Sequence, residues 1–171
     1  MKVFSIRHGE HLYPYNKAGK KLVCGVDAPL VSLGRQQMRD LGKRLEDQGI
    51  VFDAVYRSPL LRAQQSAEEL VAGLTSKIYV VDYLKEVFPN RAEGKTYEEL
   101  EERGGDIYDP PYAPDQETLE SVVQRQRLAI DFILNAVREH GYNTIAIIGH
   151  GDPLCALNWA LMHNNSPAFY S

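Results

Sequence analysis

The strongest constraint on the fold of this chain is an alternation between short apolar runs and longer stretches whose apolar residues recur at helical spacing. The short runs are rich in β-branched or aromatic residues and predict strands at residues 3–6, 51–56, 78–81 and 144–148. Strands that alternate with helices are joined by crossovers, which favour a parallel sheet with helices on both faces. The sequence therefore predicts an α/β fold, a three-layer α/β/α sandwich around a largely parallel central sheet.

Capping residues predict where the helices begin and end. The expected starts carry Ser or Asp, in two places followed by Pro, and the expected stops are Gly. The predicted boundaries are Ser32 and Gly49 for the first helix, Ser58 with Pro59 for the start of the second, Gly141 for the end of a long third helix whose apolar stripe includes Leu119, and Asp152 with Pro153 for the start of the last.

Two segments lack regular periodicity and interrupt this pattern. Residues 9–31 carry Gly, Pro, Asn and Asp at intervals and predict a loop, in which Gly25 and Asp27 shape turns. Residues 88–116 predict a mostly irregular excursion with one short helix, and tyrosines such as Tyr112 lie in it. We expect a single domain over residues 1–171 with an inserted cap-like excursion at 88–116.

Composition excludes several classes of protein. The chain has 171 residues, 44% of them hydrophobic and 25% charged, as in a globular protein long enough to bury a core. No apolar run is long enough for a membrane-spanning helix, and a net charge of −4 with no cluster of Lys and Arg argues against nucleic-acid binding. Cys24 and Cys155 fit neither a disulfide framework nor a thiolate metal site. Because no export signal is visible, we expect a cytoplasmic protein, whose oligomeric state the sequence does not indicate.

Charged and imidazole side chains follow each predicted strand closely. They are Arg7 and His8 after the first strand, Arg57 and Arg62 after the second, Glu86 after the third and His150 after the fourth. In parallel α/β sheets, ligands bind beyond the carboxyl ends of the strands. We therefore expect these side chains to converge on one site.

The residue types in this set indicate phosphoryl transfer. Arginine offers a fork of donors that matches phosphate oxygens, and helix N-termini add partial positive charge beside an anion. A histidine that is neutral near pH 7 can act as a nucleophile or carry a proton. A carboxylic acid with a disfavoured ionisation suits a proton donor. The expected partner is a small phosphorylated compound.

The order of the motifs resembles that of the histidine phosphatase superfamily, the clan that also contains cofactor-dependent phosphoglycerate mutase. The resemblance extends over nearly the whole chain. Its motifs are RHGE at 7–10, GxDxPLxxxG at 25–34, SPLxRAxQSA at 58–67, LxE at 84–86 with EG at 93–94, and GHG at 149–151.

This resemblance implies a role for each matched residue. His8 is expected to be the nucleophile that becomes a phosphohistidine, and Arg7 and Arg62 are expected to clamp the phosphate. His150 corresponds to the second histidine of the pocket, and Glu86 corresponds to the general acid and base. The resemblance implies a phosphatase that hydrolyses phosphomonoesters, and we expect it to need no metal and no cofactor.

The chain departs from the family pattern at three positions. His11 stands where relatives often carry Thr, and it is expected at the surface or partly buried. Asn16 is expected to correspond to a phosphate-contacting Asn, although it lies farther from His8 than the family spacing. Arg57 replaces a residue that is usually small, and it either extends the basic pocket or points outward.

Three other functions share these motifs. A mutase that moves phosphate between hydroxyl groups would use the same pocket, but a short chain and a modest excursion favour hydrolysis because a mutase must shield its phosphoenzyme from water. A noncatalytic domain that binds phosphorylated ligands is a second alternative, although the expected catalytic residues are all present. A phosphoprotein phosphatase is a third alternative and would favour a more open entrance.

Overall fold

The computed structural model describes residues 1–24, 27–88, 90, 92–104, 108 and 114–163. Its sheet contains four strands, β1 (Lys2–Arg7), β2 (Ala54–Arg57), β3 (Lys77–Val80) and β4 (Thr144–Gly149). They lie in the order β1-β4-β2-β3, and every neighbouring pair among these described strands is parallel. The register pairs Arg7 with Gly149 and Arg57 with Ile148, so the ends of three strands meet at one edge.

Five helices accompany the sheet in the described residues. They are α1 (Ser32–Asp47), α2 (Leu61–Leu70), α3 (Tyr97–Glu102), α4 (Leu119–His140) and α5 (Gly151–His163), with a short 3₁₀ turn at Asp82–Leu84. Helices α1 and α2 pack on one face of the sheet, while α4 and α5 pack on the other. This arrangement confirms the predicted three-layer α/β/α sandwich with a parallel central sheet.

The central strand β4 shows why this sequence folds into a sandwich. Successive side chains of a strand point to opposite faces, and all four apolar residues at the centre of β4 are buried. Ile145 and Ile147 contact the core beneath α4 and α5, whereas Ala146 and Ile148 contact the core beneath α1 and α2. Because burial of one Ile side chain contributes about 1.5–3 kcal/mol, a continuous apolar run is stable only between two helical layers.

The predicted caps of α1 and α2 were wrong, and α5 begins at Gly151, one residue before the predicted Asp152. Helix α1 begins at Ser32, but Val31 is its N-cap and no side-chain cap bond forms. Helix α2 begins at Leu61 rather than at Pro59, and the Ser58 hydroxyl lies 2.8 Å from His150 Nε2 and accepts a hydrogen bond of 3.3 Å from the Leu60 N–H. The carboxylate of Asp27 takes over the cap, since its Oδ1 accepts a hydrogen bond of 2.6 Å from the Leu61 N–H. A loop distant in sequence thus caps α2.

The other helix boundaries follow local capping rules. Thr96 and Glu99 form a reciprocal capping box at the start of α3, the short helix expected inside 88–116. Thr118 caps α4, and Gly141 ends it in the left-handed conformation at φ 69°. Gly25 and Tyr112 lie outside the described residues. The single domain with a cap-like excursion stays a prediction.

Helix α4 is long, but it is amphipathic. Its buried face includes Val122, Ile130 and Val137, whereas Leu128 and Phe132 on the other side are about half exposed. Across the described ranges, no helix combines the length and the apolar content that crossing a bilayer requires.

Candidate active site

The carboxyl edge of the sheet holds a pocket with a volume of about 180 Å³. Strand ends and the turns after them supply most of its polar wall. Its charged and imidazole side chains are Arg7, His8, His11, Arg62, Glu86 and Asp152. The expected convergence of residues from separate strands is therefore present in the structure.

His8 lies at the base of this pocket with its ring in one defined orientation. Its Nδ1 is 2.8 Å from the Gly9 carbonyl oxygen, which can only accept, so Nδ1 carries the proton. Nε2 therefore presents a lone pair, and Arg62 Nε–H donates to it across 3.3 Å. Burial lowers the pKa of His8 to about 3, and the positive charge of Arg62 acts in the same direction. The imidazole is neutral at physiological pH.

Two glycines set the position of the loop that follows β1. A Cβ atom on Gly9 would collide with the backbone of Gly34, and a Cβ atom on Gly34 would collide with the backbone of Glu10. The motif glycine at 34 is therefore required by the close approach of α1 to the RHGE loop. The Gly9 N–H donates to the Ser66 hydroxyl across 3.0 Å, which joins the same loop to α2.

Arg62 is a buried cation in the first turn of α2. Only 1% of its side chain is exposed, and Nη2 lies 3.8 Å from Glu86 Oε2. A buried charge is costly unless opposite charge or hydrogen bonds compensate it, and the carboxylate supplies part of that compensation. Burial raises the pKa of Glu86, although the Val87 N–H and Arg62 oppose that shift. Glu86 therefore keeps a proton at higher pH than an exposed carboxyl group.

His150 lies behind the pocket wall and is fully buried. Its Nε2 lies 2.8 Å from the Ser58 hydroxyl, and its ring centroid is 5.1 Å from that of His8. Nδ1 is 3.8 Å from Glu86 Oε2 and has no hydrogen-bond partner within the described part of the chain. Burial lowers the pKa of His150, and Arg62 and His8 add to the effect, so this ring is also neutral.

The structure brings together five of the seven residues selected from the sequence. Arg7 lines the pocket and is exposed, beside His8, Arg62 and Glu86, with His150 behind them. A neutral imidazole whose Nε2 accepts from Arg62 is thus placed beside two guanidinium groups. Such a set suits a tetrahedral oxyanion.

Asn16 and Arg57 do not line this pocket. Asn16 Oδ1 accepts hydrogen bonds from the N–H groups of Ala18 and Lys20 in a local turn. Arg57 Nη1 donates to the Ser58 carbonyl oxygen, 2.9 Å away. The structure therefore places the side chains of Asn16 and Arg57 outside the set that lines this pocket.

Sequence reasoning missed His11, which was expected near the surface. Its side chain is buried with 5% exposure, lines the pocket, and stacks edge-on against His8 at a centroid distance of 5.0 Å. The backbone of His11 bridges to Leu30, and this pairing turns the residue inward. The sequence signal that could have indicated this position is that His11 directly follows the RHGE motif. A residue so close to the end of β1 lies near the site whatever conformation the loop adopts.

Arg125, which lies outside the pocket, fixes the segment that carries Glu86. Arg125 on α4 forms a bidentate pair with Glu117 through bonds of 2.7 and 2.8 Å. Its Nη1 also donates to the carbonyl oxygens of Tyr83 and Lys85, at 2.6 and 2.9 Å. Glu117 in turn accepts from the Phe88 N–H. Residues 83–88 are therefore tied to α4 from both sides of Glu86.

No metal ligand set is apparent in the described ranges. In residues 1–24, 27–88, 90, 92–104, 108 and 114–163, no three His, Cys, Asp or Glu side chains converge in a way that could hold an ion. Among the described residues, the cationic side chains that line cavities together with His8 are those of Arg7, Arg62 and Lys21.

Comparison with known proteins identifies the family of this chain. The sequence profile of the histidine phosphatase superfamily, branch 1, matches residues 3–171. The uncharacterized phosphatase PhoE of Bacillus subtilis is 31% identical over 153 residues, which cover 89% of this chain and 72% of PhoE. A 2,3-bisphosphoglycerate-dependent phosphoglycerate mutase of Bartonella henselae is 27% identical, covering 97% of this chain and 84% of the mutase. YhfR of Bacillus stearothermophilus superposes with a TM-score of 0.73 at 31% identity, covering 96% of this chain and 84% of YhfR.

The chain belongs to the histidine phosphatase superfamily, branch 1. Both the family and the fold expected from the motifs are therefore confirmed. The match with PhoE also confirms the phosphatase class, and the pocket at the end of β1 lies where the RHGE motif predicts it.

Proposed function

We propose that this protein hydrolyses small phosphomonoesters through a phosphohistidine on His8. The observation that carries the proposal is the hydrogen bond from Nδ1 to the Gly9 carbonyl, because it leaves the lone pair on Nε2, which faces Arg62. A neutral nucleophile is needed at this position, and the lowered pKa of His8 supports one.

In the first step, His8 Nε2 attacks phosphorus and the bond from phosphorus to the ester oxygen breaks. Glu86 gives its proton to the leaving oxygen and becomes a carboxylate. Arg7 and Arg62 donate to the phosphate oxygens, where negative charge is spread in the transition state. We assign to His150 Nδ1 a donor role toward the same oxygens, because it lies 3.8 Å from Glu86 Oε2 and has no hydrogen-bond partner within the described residues.

In the second step, water attacks the phosphohistidine. The Glu86 carboxylate takes a proton from the water as the oxygen bonds to phosphorus, and the bond from phosphorus to Nε2 breaks. Inorganic phosphate leaves, while His8 and Glu86 return to their starting protonation states. The reaction is divided into two displacements. In each of them, the reacting atom lies close to a group that is already positioned.

A phosphate-release screen tests this function directly. The panel contains aryl and alkyl phosphates, phosphoserine, nucleoside monophosphates and 2- and 3-phosphoglycerate, with a chelator present throughout. We expect phosphate release from at least one phosphomonoester, and no dependence on a divalent ion. Activity that a chelator abolishes and a divalent ion restores would contradict the proposed cation set.

The same screen separates hydrolysis from mutase activity. The similarity to a phosphoglycerate mutase over nearly the whole chain makes this comparison necessary. We expect released phosphate to account for the consumed phosphoglycerate. Interconversion of the 2- and 3-isomers without phosphate release would instead assign a mutase, and stable binding without turnover would assign a noncatalytic domain.

Arg125 is expected to position Glu86 for proton transfer. Replacement of Arg125 with Gln removes the bonds to Glu117 and to the carbonyls around Glu86, and a misplacement of about 1 Å can cost about a hundredfold in rate. We expect kcat to fall by about tenfold or more on an alkyl phosphate and by less on an aryl phosphate, whose leaving group needs less protonation. KM should change little.

Arg39→Gln on α1 provides a matched control, because Arg39 also pairs with a glutamate, Glu69, at 2.7 Å but lies away from the pocket. Equal losses of kcat on both leaving groups in Arg125→Gln would reject a role through Glu86.

The cellular setting is also proposed from general features. The net charge of −4 and the cationic pocket support a small phosphorylated partner rather than nucleic acid. Cysteine usage supports a cytoplasmic location.

A further inference from the structure

His11 has a buried ring that the proposed reaction does not use. Neither Nδ1 nor Nε2 has a hydrogen-bond partner in the described ranges, and the side chain is only 5% exposed. A neutral imidazole carries one N–H donor and one acceptor nitrogen, and burial of both without partners is unfavourable. Such a ring gains a partner when a ligand with acceptor atoms enters the pocket that it lines.

The surroundings of His11 are cationic. Arg62, Arg7 and Lys21 all act on this ring with positive charge, and His8 contacts it edge-on. Tyr13 stacks on its other side at a centroid distance of 4.0 Å, and Lys21 Nζ lies 3.4 Å from the centre of the Tyr13 ring. The titratable rings of His8 and of His150, which lies between β4 and α5, also interact with His11 electrostatically. The expected ligand atoms next to His11 are therefore those of an anion.

Asn16, which was expected to contact the phosphate, does not supply a donor to the pocket. Its side-chain oxygen is bound in a turn and the residue does not line the pocket, whereas His11 lies beside the nucleophile. Burial and the three cations lower the pKa of His11 to about 4, so the ring is neutral at physiological pH. The N–H of such a ring is a donor, and the oxygens of a phosphate are acceptors.

We propose that His11 is a further phosphate-binding residue of this site, and that its ring N–H donates to an oxygen of the phosphoryl group held beside His8. This inference rests on the proposed function, since it uses the same pocket. It assigns to this chain an imidazole donor at the position where relatives often carry Thr.

Binding of tungstate, a tetrahedral dianion, tests the proposal without turnover. Calorimetry at pH 7.5 would compare the wild type with His11→Phe, which keeps an aromatic ring against Tyr13 but has no nitrogen, and with His11→Asn, which restores an N–H donor. We expect His11→Phe to raise the Kd by about tenfold to a hundredfold, the loss typical of a hydrogen bond to a charged group. His11→Asn should recover part of the affinity.

His163→Phe serves as the matched control, because His163 is an exposed histidine at the end of α5. We expect its Kd to equal that of the wild type. An unchanged Kd in His11→Phe would overturn the proposal while leaving the phosphatase assignment intact. Failure of the wild type to bind tungstate would instead contradict the pocket itself, and with it the proposed function.

Nuclear magnetic resonance of the wild-type histidine side chains provides a second readout if His11→Phe does not fold. We expect the nitrogen resonances of the His11 ring to shift when tungstate is added, because one nitrogen gains an acceptor. Unchanged His11 resonances in a sample whose His8 resonances shift would overturn the proposal.

Discussion

Replacement of His8 with alanine is expected to remove phosphatase turnover, with a loss of roughly ten-thousand-fold or more in kcat. The variant lacks Nε2, the atom proposed to bond to phosphorus, while Arg7 and Arg62 can still bind the phosphate. We therefore expect substrate to bind but not to react. The measurement is phosphate release under saturating substrate, compared with the wild type at equal concentration of folded protein.

Two controls make this result specific. His163→Ala removes an exposed histidine from the end of α5 and should leave turnover unchanged. Tungstate binding by His8→Ala should persist, which shows that the pocket is intact. Turnover in His8→Ala within tenfold of the wild type would defeat the assignment of His8 as nucleophile.

Replacement of Glu86 with glutamine is expected to have the second largest effect. Glutamine keeps the size of the side chain but cannot donate a proton to the leaving oxygen. General acid catalysis contributes about a hundredfold to ten-thousand-fold, so we expect kcat to fall within that range on an alkyl phosphate. An aryl phosphate should lose less, because its leaving oxygen is stable as an anion.

The pH dependence of kcat/KM gives an independent test of Glu86. Burial raises its pKa, so the acid form persists to higher pH than for an exposed carboxyl group. The rate in the wild type should fall as pH rises through this pKa, because the proton donor is then lost, and Glu86→Gln should lack that limb. Glu98→Gln on α3 is the control, since Glu98 is more than half exposed and pairs with Lys20 at the surface. If Glu86→Gln loses kcat equally on the alkyl and the aryl phosphate, Glu86 does not donate the proton to the leaving oxygen.

The fold was predictable because local and long-range signals agree. The apolar run of β4 is continuous, and only a sheet covered on both faces buries Ile145 and Ala146 together. The positions of His8 and His150 follow from the same logic, because residues after parallel strands meet at one edge. Chemistry-bearing residues that lie on strand ends could therefore be placed from the sequence.

Residues on loops could not be placed in this way. The start of α2 depends on Asp27, whose carboxylate caps Leu61 from a distance of 34 positions along the chain. Asn16 closes a local turn instead of entering the pocket, and His11 is turned inward by its pairing with Leu30. Each outcome is decided by a contact between segments, and periodicity and spacing carry no information about such contacts.

The most direct test of the account is the chemical nature of the phosphoenzyme. The protein would be mixed with a reactive phosphomonoester, quenched under alkaline conditions within one turnover, digested and analysed by mass spectrometry. We predict an acid-labile phosphoryl group on His8 that forms at least as fast as phosphate is released, and that is absent from His8→Ala. Phosphate release with no such intermediate, or a phosphoryl group on another residue, would contradict the central claim.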